Sequence, residues 1–219
     1  MRVPSPEEFL IKGAVLAVMF LVAFPIHEFA HALAAYRLGD GTAKLMGRLT
    51  LDPRSHFDPM GGLLLAVTVM FTGFGFGWAK PTPYNPMNLQ GGRWGEAIVS
   101  VAGPISNLIL AIAAAIPLRY INATGMDAGL LVPFLDFFVL INLVLMVFNL
   151  IPIPPLDGSK VLFAFMDPRT AWQVRPVLEQ YGFLILIAAM FLPILGGQTL
   201  IGVVFSELLF PLQRLLVGA

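Results

Sequence analysis

The sequence predicts an all-α polytopic membrane protein of about five to six transmembrane helices, with one re-entrant hairpin or extended segment close to its functional site. Three observations carry this. Of the 219 residues, 58% are hydrophobic and 12% charged, and mean hydropathy is +0.83. A water-soluble domain of this size has too little interior to hide that much apolar surface. The apolar residues gather in runs long enough to cross a bilayer. One run, "GGLLLAVTVMFTGFGFG" (61–77), is short and glycine-rich: it has 17 residues, five of them glycine, and would span roughly 25 Å as straight helix.

The first run extends from about Glu8 to Tyr36, and Pro25 inside it predicts a kink, because proline removes a backbone donor and crowds the preceding turn. No small-residue cleavage site follows it, so the whole chain is expected to be mature. A polar, turn-rich loop leads to the short glycine-rich run, and a proline-rich linker, "WAKPTPYNPMNLQGGR", follows that run. The third run spans Trp94 to about Leu118. In it Glu96, Ser100, Gly103, Asn107, Ala111 and Ala114 recur at three- and four-residue spacing, a small or polar stripe suited to close helix packing. The fourth spans about Ala128 to Leu150 and stops at "NLIPIPPLDGSK"; runs over 182–195 and 198–217 follow, the last broken near Pro211. No polar linker divides the chain, which reads as one domain, 1–219, with a core over about 8–166 and additional C-terminal helices over 180–217.

Composition also excludes classes. Thirteen basic and 13 acidic residues leave no net charge, hence no basic footprint for nucleic acid. With no cysteine, disulfides and thiolate metal sites are absent, leaving histidine and carboxylate as metal-binding side chains.

Against that background "AFPIHEFAHALAAY" (23–36) stands out, because ionisable groups are costly in hydrocarbon and usually mark function there. Residues four apart share a helix face, so His27 and His31 can address one ion with Glu28 beside it. In this HExxH pattern two neutral imidazoles bind zinc and the glutamate takes a proton from the metal's water. A third ligand is required. The candidates are Glu96, Asp136, Asp157, Glu179, Glu207 and His56; Asp157 is best placed, because Pro152, Pro154, Pro155 and Gly158 end a helix abruptly beside it.

Three motifs, "HEFAH" (27–31), "GPISN" (103–107) and "NLIPIPPLDG" (149–158), occur in the order found in the site-2 protease family of intramembrane zinc metalloproteases. The chain resembles a minimal form of that family, without PDZ or CBS domains, over about residues 10 to 165. The resemblance implies one Zn2+ per chain held by His27, His31 and Asp157, and Glu28 as general base. It implies that Asn107 holds the substrate or a developing oxyanion, with Asn149 a weaker candidate for similar support. The implied activity is cleavage of transmembrane segments of membrane-protein or peptide substrates. Residues 73–80 are a candidate edge for an extended substrate. His56 is expected outside the metal's shell, and Asp136 and Glu207 are given no chemistry. Two other readings stand beside this one: a non-proteolytic zinc-binding transporter or pseudoprotease, and another HExxH membrane protease with a glutamate such as Glu207 as third ligand. Substrate identity and oligomeric state are not legible.

For His27, His31 and Asp157 to share an ion, the first and fourth runs must end on the same face, and the short second run must then enter and leave by that face. This arrangement puts three of the 13 basic residues (Arg2, Lys12, Arg119) opposite the site and ten, Arg214 among them, on its side. The positive-inside rule then predicts a cytoplasmic site in the cell membrane of a prokaryote.

Overall fold

A computed structural model describes residues 6–72, 77–194 and 196–218. The described residues are mainly helical. The first run folds as α1 (Pro6–Val18), a π-helical turn (Met19–Ala23) and α2 (Phe24–Arg37). Pro25 falls in the first turn of α2, and the widened turn ahead of it accommodates the hydrogen bond that proline cannot make. Two single-turn helices, α3 (Thr42–Leu45) and α4 (Pro53–His56), lie in the loop that follows.

The short glycine-rich run forms α5 (Pro59–Thr72). Its 14 residues give about 21 Å of helix, less than a bilayer core. Beyond the undescribed residues 73–76, the chain is already back beside the point where α5 began. The Lys80 N–H donates to the His56 carbonyl at 2.9 Å. Gly61 and Gly77 touch backbone to backbone: a Cβ on Gly61 would strike the Trp78 carbonyl, and one on Gly77 the Gly61 carbonyl. This segment therefore enters and leaves by one end, as expected.

The long α6 (Arg93–Thr124) is the spine of the molecule, packing against α2, α7 (Leu131–Asn149) and α8 (Gly158–Phe165). All six residues of the predicted stripe, from Glu96 to Ala114, are buried. The chain continues as α9 (Pro168–Phe191), α10 (Leu200–Val204), a π-helical turn (Phe205–Leu209) and α11 (Phe210–Val217). Among the described residues five helical stretches are long and apolar enough to cross a membrane: Lys12–Arg37, Arg93–Thr124, Leu131–Asn149, Pro168–Phe191 and Leu200–Val217. The chain is a multi-pass membrane protein.

Three details correct the sequence reading. The run over 182–195 belongs to a helix that starts earlier, at Pro168, because the Asp167 carboxylate caps the N–H groups of Arg169 and Thr170. The last run is not broken at Pro211: the proline falls in the first turn of α11, where its missing donor costs least, directly after the π-helical turn. Arg214 does not share the end of the bundle that holds the site. Ile201 at the start of α10 packs with Ile151 and Leu156, whereas Gln213 and Leu215 bond to Asp136 and Arg119 at the far ends of α7 and α6. The last stretch thus runs away from the site, antiparallel to α7.

Candidate active site

Two buried imidazoles, one helical turn apart on α2, meet edge to face with ring centroids 4.6 Å apart. Their outer nitrogens are both engaged. His31 Nδ1 lies 2.7 Å from the Val99 carbonyl oxygen, so that nitrogen must carry a proton. His27 Nδ1 lies 2.6 Å from Asn107 Oδ1, and Asn107 Nδ2 donates to Asn142 Oδ1 at 3.0 Å. The direction of this chain is set at its far end, where Asn142 Nδ2 donates to the Phe138 carbonyl at 2.9 Å. A carbonyl only accepts, so each amide in turn presents its oxygen upstream, and His27 Nδ1 must also be the protonated nitrogen. In neutral rings both Nε2 atoms then carry lone pairs.

Those lone pairs converge. The two Nε2 atoms are 3.0 Å apart, and Asp157 Oδ2 lies 3.3 Å from that of His27 and 3.2 Å from that of His31. Asp157 stands at the turn before α8, held by the Ser100 hydroxyl, which donates to its backbone carbonyl at 2.8 Å and to Oδ1 at 3.2 Å. Oδ2 itself is buried without a hydrogen-bond donor. With both rings neutral, these three acceptor atoms repel one another unless a cation, a metal ion or a proton, lies between them. Two nitrogens and one carboxylate oxygen with an open fourth position make a donor set that suits zinc. Room for an ion comes from Gly103 on α6, where a Cβ would collide with both Nε2 atoms.

Glu28, also buried on α2, presents its carboxylate beside the cluster. Its Oε2 accepts the Thr82 N–H at 2.7 Å, and the Thr82 hydroxyl donates to the Glu28 carbonyl at 2.9 Å. His27, Glu28, His31 and Asp157 line one cavity of about 740 Å³, whose other walls include Leu65 and Val69 of α5, Ile141 and Leu145 of α7, and Trp78.

Asn107 departs from expectation. It is fully buried behind His27, with its amide spent on His27 and Asn142, and it does not line the cavity. That placement orients the His27 imidazole. Asn149 does line the cavity, with its Nδ2 bonded to Leu145 O of its own helix at 2.9 Å. His56 is buried away from the cluster with Nε2 bonded to the Thr50 carbonyl. Asp136 accepts from Gln213, and Glu207 is exposed on the last stretch. Glu96 and Glu179 both pair with Arg175; Glu96 also accepts from the Tyr84 hydroxyl, whose pKa is pushed up by burial and by the Glu96 charge. Of the third-ligand candidates, the structure brings only Asp157 to the histidines.

Sequence reasoning missed Thr82 and Asn142. Asn142 had a signal, as the sole amide within the apolar run from Phe134 to Phe148. Thr82, set between prolines in a linker, had none.

A His–His–carboxylate cluster with an adjacent glutamate, on a cavity inside a helical membrane protein, has the make-up of a membrane metalloprotease site, and the comparisons give the class and the family. The family model for Peptidase family M50 matches residues 115–193. The chain is 40% identical over 190 residues to the Bacillus subtilis (strain 168) protein YwhC, which carries a zinc metalloprotease name; the match covers 84% of this chain and 83% of that protein. Rip2 of Mycolicibacterium smegmatis, named in the same way, is 35% identical over 81% of this chain and 66% of its own length. The zinc metalloprotease MJ0392 of Methanocaldococcus jannaschii is 26% identical over 73% of this chain and 36% of its own. No solved structure matches the chain. The chain belongs to the site-2 protease family of zinc metalloproteases, peptidase family M50.

Proposed function

We propose that the chain is a zinc-dependent intramembrane endopeptidase that cleaves transmembrane segments of membrane-protein substrates. The observation that carries this reading is the convergence of three possible ligand atoms, from His27, His31 and Asp157, on the wall of a cavity that Glu28 also lines. These three residues hold one zinc ion per chain. Zinc, when bound, supplies Lewis acidity that makes water nucleophilic near neutral pH and polarises a carbonyl. Glu28 is the general base: it accepts a proton as water adds to the scissile carbonyl and returns it to the departing amine, so that one peptide bond and one water become a carboxylate and an amine. Asn107 serves as the partner that keeps the His27 lone pair facing inward.

A substrate helix hides its amides in its own hydrogen bonds and must unwind before attack. The apolar walls of the cavity receive such an unwound stretch, and of the described part of the candidate edge Gly77, Trp78 and Ala79 lie along it. The Lys80 N–H is already engaged by His56 and is not available to a substrate. With Arg214 moved to the far face, nine of the 13 basic residues remain on the side of the site. That excess supports a cytoplasmic orientation in a prokaryotic cell membrane.

The test uses the full chain in liposomes with a labelled single-span peptide. Wild-type protein cleaves it and loses activity on chelation, whereas Glu28→Gln retains zinc and does not cleave. Unimpaired cleavage by Glu28→Gln would overturn the reading and leave a zinc-binding protein without protease chemistry.

A further inference from the structure

Glu28 has three rotatable side-chain bonds, and a base must hold its oxygen within hydrogen-bond reach of the proton it takes. The residue that restrains it comes from the linker after the re-entrant segment. Thr82 makes two hydrogen bonds to Glu28, from its N–H to carboxylate Oε2 at 2.7 Å and from its hydroxyl to the backbone carbonyl at 2.9 Å. Contact with both the side chain and the main chain of one residue fixes the carboxylate relative to its own helix. Among the described residues Oε1 has no hydrogen-bond partner.

The linker is itself held on both sides of Thr82. Lys80 N–H bonds the His56 carbonyl, and Asn85 N–H bonds Oδ2 of the fully buried Asp40 at 2.8 Å. Asn88 Nδ2 reaches Asp40 Oδ1 at 3.0 Å. Pro81 and Pro83 flank Thr82 and restrict the backbone on either side. Thr82 is 9% exposed, so water competes little for its two donors.

We infer that Thr82 is a positioning residue for the general base: it occupies Oε2 and leaves Oε1 as the oxygen that takes the proton. This rests on the assignment of Glu28 as the base. It has a structural corollary, because the same linker carries residues 77–80 of the candidate substrate edge. Substrate docking and base alignment then share one stretch of backbone.

Thr82→Val, Thr82→Ser and Thr82→Pro are compared with wild type and Glu28→Gln, as full chains in liposomes, for kcat, KM and zinc content. Thr82→Val removes the hydroxyl and keeps the N–H; kcat falls about 3- to 10-fold, the range one neutral hydrogen bond supports, with KM and zinc content unchanged. Thr82→Ser keeps both donors and restores kcat to within about twofold. Thr82→Pro removes both donors and lowers kcat about 100-fold, the penalty of a misplaced catalytic group, with zinc retained. The inference is overturned if Thr82→Val keeps wild-type kcat, if its effect falls only on KM or zinc content, or if Thr82→Ser is as impaired as Thr82→Val. Cleavage by Glu28→Gln is a separate result that removes the base assignment itself.

Discussion

Gly103→Ala fills the space between the two imidazoles with a single methyl group. The new Cβ would stand 2.6 Å from His27 Nε2, where ordinary contact begins at 3.4 Å. Both rings must retreat, that of His27 by about 0.8 Å and that of His31 by more, several times the roughly 0.2 Å tolerance of a metal–ligand distance. We expect zinc affinity to fall at least about 100-fold, the upper end of what losing an orienting partner costs. The backbone has little reason to fail, because alanine is about 1 kcal/mol better than glycine inside a helix and offsets part of an overpacking cost of about 1–3 kcal/mol. The assay titrates zinc into metal-stripped protein against a competing chelator, with far-ultraviolet circular dichroism as a check on the helices. Wild-type zinc affinity in a helical Gly103→Ala protein would show that the cluster is not where the metal binds.

Asn107→Leu leaves His27 Nδ1 without its acceptor, and zinc affinity should fall about 10- to 100-fold; an oxyanion role would instead lower kcat with zinc affinity intact. Arg175→Met strands Glu96, 4% exposed, without its bidentate partner. Thermal unfolding in detergent should report a loss of about 3 kcal/mol, largely recovered when Glu96→Gln is added. Asp40 is subject to burial, which raises its pKa, but hydrogen bonds from Thr42, Asn85 and Asn88 outweigh this and hold it below the ordinary carboxylate value. Its contribution to stability is therefore complete above the unfolded-state pKa and is lost as pH falls through the lower folded value. Asp40→Asn should lose stability at neutral pH and show a flatter acid limb below about pH 4 in urea titrations.

What the sequence made legible follows from how much each feature depends on local rules. The helices and the buried stripe of α6 were readable because hydrophobicity and small-residue spacing are local. The re-entrant segment was readable because its length falls short of the bilayer. The pairing of His27 with His31 follows from helix geometry alone. Joining Asp157 to them took a constraint on topology, and the motif order supplied it. The partners of Asn107 were not legible, because sequence places a residue on a face without saying which neighbour consumes its hydrogen bonds. The direction of α10 and α11 was missed because a membrane run reads the same in either direction, and only its contacts with Asp136, Arg119 and Ile151 orient it.

The site depends on one face of α6 more than on the motif that announces it. Within nine residues, about 12 Å of helix, α6 supplies the Val99 carbonyl to His31, the Ser100 hydroxyl to Asp157, the empty space of Gly103 between the rings, and the Asn107 amide to His27. Positions 99, 100, 103 and 107 share one helix face, so a single rigid element fixes two ring tautomers and a carboxylate together. Pro104 bears on the same stretch, because it has no N–H to give the Ser100 carbonyl and so loosens the turn in which Val99 offers its oxygen sideways. The HExxH pattern brings lone pairs to the site, but it cannot decide which nitrogen of each ring is protonated. That choice is made by backbone carbonyls of other helices, Val99 directly and Phe138 through two asparagines. Grafting HEFAH onto another membrane helix without this face should therefore give histidines that pair with each other or with water, and little zinc affinity.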